Sequence, residues 1–200
     1  MKLTGLFILF SGTFALSISC VKHEKETSTA VFTRIDSLTE AYLFLQDSML
    51  HTWNVMMKDE NEKLENIGRL LQELKKLSNE DQARVESLEG RLEQLKRIRF
   101  TQKTMVNQHV VEEYDFASNS LISEVISIAE SEPTFTQNTT LQQLTDWVKS
   151  ADQRVPIYRE EYDAVVDSFN QFLEQAKPYL QEIDKKNTGE KKVLFTSDEN

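Results

Sequence analysis

Residues 139–183 read TTLQQLTDWVKSADQRVPIYREEYDAVVDSFNQFLEQAKPYLQEI. Apolar residues recur at Leu141, Leu144, Val148, Ala151, Val155, Tyr158, Tyr162, Val165, Phe169, Phe172, Ala176, Tyr179 and Ile183, in steps that alternate three and four without a fault. That is the 3.5-residue period of helices packed side by side. Pro156 lies inside the run and costs a helix about 3 kcal/mol. The register continues across it, so a kink is expected there, and one helix is expected to reach about Asp184. Thr139 or Thr140 is the expected cap.

Two more stripes precede this one. The first helix is expected to begin near Ser28 or Thr29, with Val31, Ile35, Leu38, Tyr42, Leu45 and Met49 as its seam. Phe32, Ala41, Phe44, Trp53, Met56 and Met57 widen that face. After the polar run Lys58-Asp59-Glu60-Asn61-Glu62-Lys63 a narrow stripe resumes at Leu64, Ile67, Leu71 and Leu74. The register Trp53, Met56, Glu60, Leu64 carries one extra four-residue step, a stutter; the alternative is a break here, and a continuous helix toward Leu77 is favoured because no Pro or Gly interrupts it before Gly68. Ser78-Asn79-Glu80-Asp81 fits a helix-capping signal between two stripes, which predicts a tight helical hairpin. The next stripe, Val85, Leu88, Leu92 and Leu95, mirrors the one before the turn. Beyond Arg97 the apolar face broadens through Met105, Val110, Tyr114, Leu121, Val125 and Ile128, and the second helix is expected to run on to the loop at Ser131–Thr140.

A helix touching one partner needs a narrow seam, and one touching two needs a broad face. The expected fold is therefore all-α: an antiparallel bundle of three long helices with a two-helix coiled-coil stalk projecting over residues 64–95. Residues 98–131 and 141–176 match in length at roughly 50 Å each. Gly and Pro number only 5 and 3, too few turn residues for a β-rich domain. If the stalk leaves its seam open, Leu64, Ile67, Leu71, Leu74, Val85, Leu88, Leu92 and Leu95 form a surface for an envelope protein partner or a homodimer.

The chain opens MKLTGLFILFSGTFALSISC. One basic residue, a short diluted apolar run and small residues before a cysteine are the anatomy of an export signal. The run is shorter and more polar than a membrane span of roughly 20 apolar residues. Cys20 is the only cysteine, so it has no partner for an internal disulfide. Leu16-Ser17-Ile18-Ser19-Cys20 resembles the lipobox of bacterial lipoproteins, with Leu16 four places before the cysteine where the usual box has Leu at three. The resemblance implies a signal peptide over 1–19, a lipid-modified Cys20 carrying acyl chains such as palmitate, and attachment to the cell envelope. The outer membrane, on its periplasmic or surface face, is favoured over the inner. Acyl chains contribute about 0.8 kcal/mol per buried CH₂, and two or more hold a protein durably on a bilayer. Residues 20–29 then form a tether, 30–184 the helical body, and 185–200 a mobile tail; docking of Val193–Phe195 as a short extended piece is the alternative not favoured.

Without the signal the chain carries 22 basic against 33 acidic residues. The acidity is interleaved with Lys and Arg, which argues against a nucleic-acid partner and against a polybasic membrane contact. The residues point to no catalytic, cofactor or metal site. His51 and His109 are lone histidines. The acidic groups Glu112-Glu113-x-Asp115 and Glu160-Glu161-x-Asp163 lack the Glu-x-x-His pattern of helical di-metal sites. No enzymatic activity is expected. Tyr114, Phe116, Tyr158, Tyr162, Phe169 and Phe172 read first as core; the alternative is that they wall a pocket of the three-helix part for a small apolar ligand or lipid.

Arg159-Glu160-Glu161-Tyr162-Asp163-Ala164-Val165-Val166-Asp167-Ser168-Phe169-Asn170 resembles the late-helix pattern of LemA-family proteins, and the Trp53 region is similar to that family's early Trp-bearing helix. The basic run and Asp-Leu-Ile-Pro-like segment that follow the early Trp in the family are replaced here by Lys58-Asp59-Glu60-Asn61. The resemblance implies an N-terminal membrane attachment, a long-helix bundle outside the membrane, and no settled biochemical activity. It assigns no site residue.

Overall fold

The computed structural model describes residues 33–77 and 82–196. Among them are five helices and no strand: α1 (Arg34–Leu77), α2 (Gln82–Arg97), α3 (Gln108–Ser131), α4 (Thr139–Ala176) and α5 (Leu180–Ile183). The all-α class expected from the periodicity is the class observed.

Thr33 and Asp36 start α1 with a reciprocal cap. The Asp36 N–H donates to Thr33 Oγ1 at 3.2 Å and the Thr33 N–H to Asp36 Oδ2 at 2.8 Å, which satisfies two amide donors that the helix start leaves open. From there α1 runs 44 residues without a break, straight through the polar run at 58–63. Residues 78–81, with the Ser78–Asp81 cap, lie outside the described residues. Lys75 of α1 reaches Glu89 at 2.9 Å and Glu86 at 3.7 Å on α2, so the two helices run antiparallel.

The second helix does not continue to residue 131. It ends at Arg97, and a connector with a 3-10 turn at Thr104–Val106 reverses the chain. No Gly or Pro announces this break. Two other forces make it. Thr101 and Thr104 bond each other's backbone, Thr101 N–H to Thr104 Oγ1 at 2.8 Å and Thr104 N–H to Thr101 Oγ1 at 3.2 Å, a local competitor to helical hydrogen bonding. Phe100 and Met105 turn inward and are buried. α3 then runs back along α2: Glu124 accepts from Arg84 at 3.1 Å and Arg91 at 2.6 Å, and Arg91 also reaches Ser120 at 2.9 Å.

The cap of α4 is Asn138, one residue before the expected threonines. Its Oδ1 accepts the Leu141 N–H at 3.0 Å. α4 is one helix across Pro156, antiparallel to α1. Trp53 meets Tyr162, Tyr42 meets Phe169 and Phe172, and Asp59 accepts from Arg154 at 2.7 Å. Every residue of its predicted stripe is buried or half-buried. Helix α4 stops at Ala176, and a 3-10 turn holding Pro178 links it to α5.

The helices are therefore arranged differently from the three-helix bundle with a stalk. The C-terminal half of α1, all of α2, α3 and the first half of α4 lie side by side as a four-helix end. The N-terminal half of α1 and the second half of α4 form a two-helix stem. Leu64, Ile67, Leu71, Leu74, Val85, Leu88, Leu92 and Leu95 are each at most 3% exposed and share one core with Leu121, Val125, Ile128, Leu141 and Val148. They are not an open seam. A narrow stripe identifies a helix of a four-helix bundle as well as a two-stranded coil, because each bundle helix points only its inner positions at the shared core. The broad face of α1 before Met57 also has a second neighbour besides α4, and it is not another long helix but the short α5 with the chain that follows it. That C-terminal segment returns along the stem and is docked through Thr196 rather than free from residue 185.

Candidate functional site

The returning segment meets α4 at two polar side chains that face it from within the stem. Asn170, 8% exposed, pairs with the backbone of Lys192: its Nδ2 donates to the Lys192 carbonyl at 2.9 Å and its Oδ1 accepts the Lys192 N–H at 2.8 Å. Asp163, 7% exposed, accepts the N–H of Phe195 at 2.7 Å, the N–H of Thr196 at 2.9 Å and the Thr196 hydroxyl at 2.7 Å. Hydrogen bonds to an ionised acceptor are about twice as strong as neutral ones, so Asp163 is the stronger of the two clasps. A third clasp lies nearer α5. The Tyr42 hydroxyl donates to Asp184 Oδ2 at 3.1 Å and accepts from Asn187 Nδ2 at 2.9 Å. Burial first, then the Asp184 carboxylate, raises the Tyr42 pKa above its ordinary value. Gly189 carries the bend with φ +74°, the left-handed region where a side chain is strained.

Phe195 enters an aromatic socket. Its ring centroid lies 6.3 Å from Trp53 in a stacked pose and 5.6 Å from Phe100 and from Tyr162 edge-on. Arg159 caps the socket, its guanidinium carbon 4.8 Å from the Phe195 ring centre and 5.7 Å from that of Phe100. A bidentate pair with Asp115, at 2.7 and 2.6 Å, holds that guanidinium in place. So α1, the 98–107 connector, α3 and α4 each contribute a side chain to one aromatic-cationic cluster.

Beside it, where the stem meets the four-helix end, lies a buried polar knot. Lys63 Nζ is 2.9 Å from Glu60 and 3.7 Å from Asp152, with the Lys63 and Glu60 side chains 3% and 8% exposed. The Tyr114 hydroxyl donates to the other Glu60 oxygen. Burial, and after it the charge and hydrogen bond of Glu60, push the Tyr114 pKa far above its usual value, so its proton stays. Outside the knot a recess of about 640 Å³ opens at Pro156, lined by Asp115, Asn119, Asp152, Val155, Pro156, Arg159, Glu160, Asp163 and Thr196. Pro156 has no N–H for the Asp152 carbonyl, and α4 continues across it.

Of the residues singled out from the sequence, Cys20, with the signal and tether, lies outside the described residues. The eight seam residues are core. Tyr114, Tyr162 and Phe169 are buried, Phe172 packs on Tyr42, and Phe116 is 79% exposed. His109 is exposed and sits 3.3 Å from Glu112. Asp115, Glu160 and Asp163 line the recess at Pro156 together, but Asp115 is paired with Arg159 and Asp163 with the C-terminal segment. Among the described residues no three His, Cys, Asp or Glu side chains gather as a metal site would need, and no helix is long and apolar enough to cross a membrane.

Sequence reasoning passed over Glu60, Lys63, Phe100, Asn170 and the clasp role of Asp163. Glu60 had a signal: it occupies a stripe position in the stutter register. Asp163 and Asn170 had none, since their partners are backbone atoms of a segment with no periodicity. No protein-family model, curated protein or solved structure matches the chain.

Proposed function

We propose that this chain is a membrane-anchored cell-envelope lipoprotein, attached through a lipid on Cys20, whose helical body is a non-catalytic, LemA-like scaffold or protein-interaction module. The anchor rests on the lipobox-like sequence ending at Cys20. The interaction role is carried by one observation. On the stem, α1 has neighbours on only part of its circumference, and its outward side presents Leu43, Phe44 and Leu50 at 52%, 69% and 53% exposure, with Val55 beside them. Large apolar side chains gathered on one helix side are the composition of a contact surface. The interior carboxylates described above are meanwhile engaged by the chain's own groups, which supports a structural use for them over a catalytic one.

Metabolic labelling with palmitate tests the anchor: the intact chain takes up label and sediments with membranes, and Cys20→Ser does neither. Photo-crosslinking in cells from Phe44 and Leu50 tests the module. A recurrent crosslinked protein supports it, and crosslinks that are absent at these positions, or no more frequent than at Gln143 on the four-helix end, count against it.

The second reading, a binder of a small apolar ligand or lipid, is favoured only by the size of the recess at Pro156. Four carboxylates in that lining, Asp115, Asp152, Glu160 and Asp163, suit a polar or cationic molecule better than a hydrocarbon. Saturable uptake of an apolar dye, lost on Val155→Asp, would restore the lipid reading.

A further inference from the structure

The clasps on the C-terminal segment read backbone, not sequence. Asn170 makes both hydrogen bonds that a neighbouring β-strand would make to Lys192, and Asp163 takes two successive N–H groups and one hydroxyl. Both side chains are more than nine-tenths buried, and a buried carboxylate or carboxamide without partners is costly. The stem is thus built to receive an extended chain. Its only side-chain demands are an aromatic ring in the Trp53–Phe100–Tyr162 socket and a hydroxyl on the next residue.

The chain's own segment meets both demands with Phe195 and Thr196 but is not sealed into the groove. Val193, Leu194 and Phe195 remain half-exposed. Two recesses flank them, one of about 180 Å³ beside Met105, Val111 and Leu194 and one of about 430 Å³ beside Met49, Tyr162 and Val193. Residues 187–194 form no helix or strand that would brace the segment from within.

We propose that this groove is a peptide-binding site, occupied in cis by Lys192–Thr196, which takes from a partner protein an extended segment carrying an aromatic residue followed by Ser or Thr. The cis segment is a competitor held at high effective concentration by its short connection to α5. The partner's apparent affinity falls by the fraction of time the groove is open. This deepens the interaction-module reading and rests on it.

The test uses the full chain with Trp147→Phe, so that Trp53 is the one remaining indole, and compares the natural tail with Phe195→Ala/Thr196→Val. The probe is a synthetic peptide of residues 187–196. The altered chain binds it saturably, one to one, with a shift in Trp53 emission, while the natural tail requires about tenfold more peptide for the same shift. A peptide with its Phe replaced by Ala gives no shift. An otherwise unrelated peptide that keeps only the Phe-Thr pair binds within about tenfold of the parent. The proposal is overturned if the altered chain binds no peptide, if both chains bind equally, if the tail substitutions unfold the helices (the segment is then an indispensable part of the core), or if the natural chain is a dimer exchanging tails. None of these results bears on crosslinking from Phe44 and Leu50 on the far side of α1, so failure of the groove and failure of the interaction-module reading are told apart.

Discussion

The four-helix end and the two-helix stem solve the same problem with different material. At the four-helix end, narrow apolar stripes suffice because four of them meet, and Ile67, Leu71, Leu74, Val85, Val125, Leu141 and Val148 have no exposed surface. On the stem, two helices cannot enclose a core between them. Broad, aromatic-rich faces and a returning polar-clasped segment do part of that work, and Leu43, Phe44 and Leu50 are left outside. The stripe of α1 narrows not where helices are fewest but where they are most numerous. Width of an apolar face counts how much of a helix is covered, not how many helices cover it.

The junction tests whether the two regions are one cooperative unit. Lys63→Ala leaves the Glu60 charge buried beside Tyr114 and is expected to cost about 3–5 kcal/mol. Because α1 and α4 both pass through the junction, thermal unfolding followed by circular dichroism should shift as a single transition. Two separate transitions would show that the stem and the four-helix end melt independently. Leu88→Ala, in the core of the four-helix end, should cost about 2–5 kcal/mol. Its cavity is shared by helices on all sides, so amide exchange should rise throughout residues 82–131. Protection lost only in α2 would restore a separable hairpin.

Asp163→Asn probes the stem alone. Losing the charged acceptor should cost about 1.5–3 kcal/mol, seen as faster exchange at the Phe195 and Thr196 amides while those of α2 and α3 keep their protection. Tyr114→Phe addresses pH. The Tyr114 pKa is raised in the folded state above 10.0, so its contribution is complete below pH 10 and is lost as pH rises toward the folded value. Denaturant titrations should therefore show a steeper alkaline loss of stability in the natural chain than in the variant. The smallest effect belongs to the surface. Arg84 and then Arg91 lower the Glu124 pKa below 4.5, which adds stability above that pH and surrenders it as pH falls through the folded value. Glu124→Gln should cost about 0.5–1 kcal/mol near pH 7 and nothing in strong acid, with the difference shrinking in high salt.

The all-helical class, the continuity of α1 through 58–63 and the burial of the 139–183 stripe were legible because each follows from a period within one helix. The break at 98–107 was not. It is enforced by Phe100 finding Trp53, Tyr114 and Phe195, residues 47, 14 and 95 positions away, and a one-dimensional pattern holds no trace of such a meeting. The expected three-helix packing of the broad faces failed for a related reason: once the second helix ends at Arg97, α3 is free to run back, and the helix count reverses from one end to the other. Of the clustered residues, Trp53, Tyr114 and Tyr162 stood on stripes. Asp163 and Asn170 became legible only when their backbone partners were placed beside them.

α1 is also a ruler. It is one uninterrupted rod of 44 residues, about 66 Å at 1.5 Å per residue, and α4 splints it through the junction between stem and four-helix end. A load applied at Thr33 is borne along the axis of this rod by helical hydrogen bonds in series, with no hinge between the stem and the Leu77 end. Lengthening α1 and α4 together by two turns, seven residues in each, would move the four-helix end away from Thr33 by about 10 Å without altering a single side chain that packs within it.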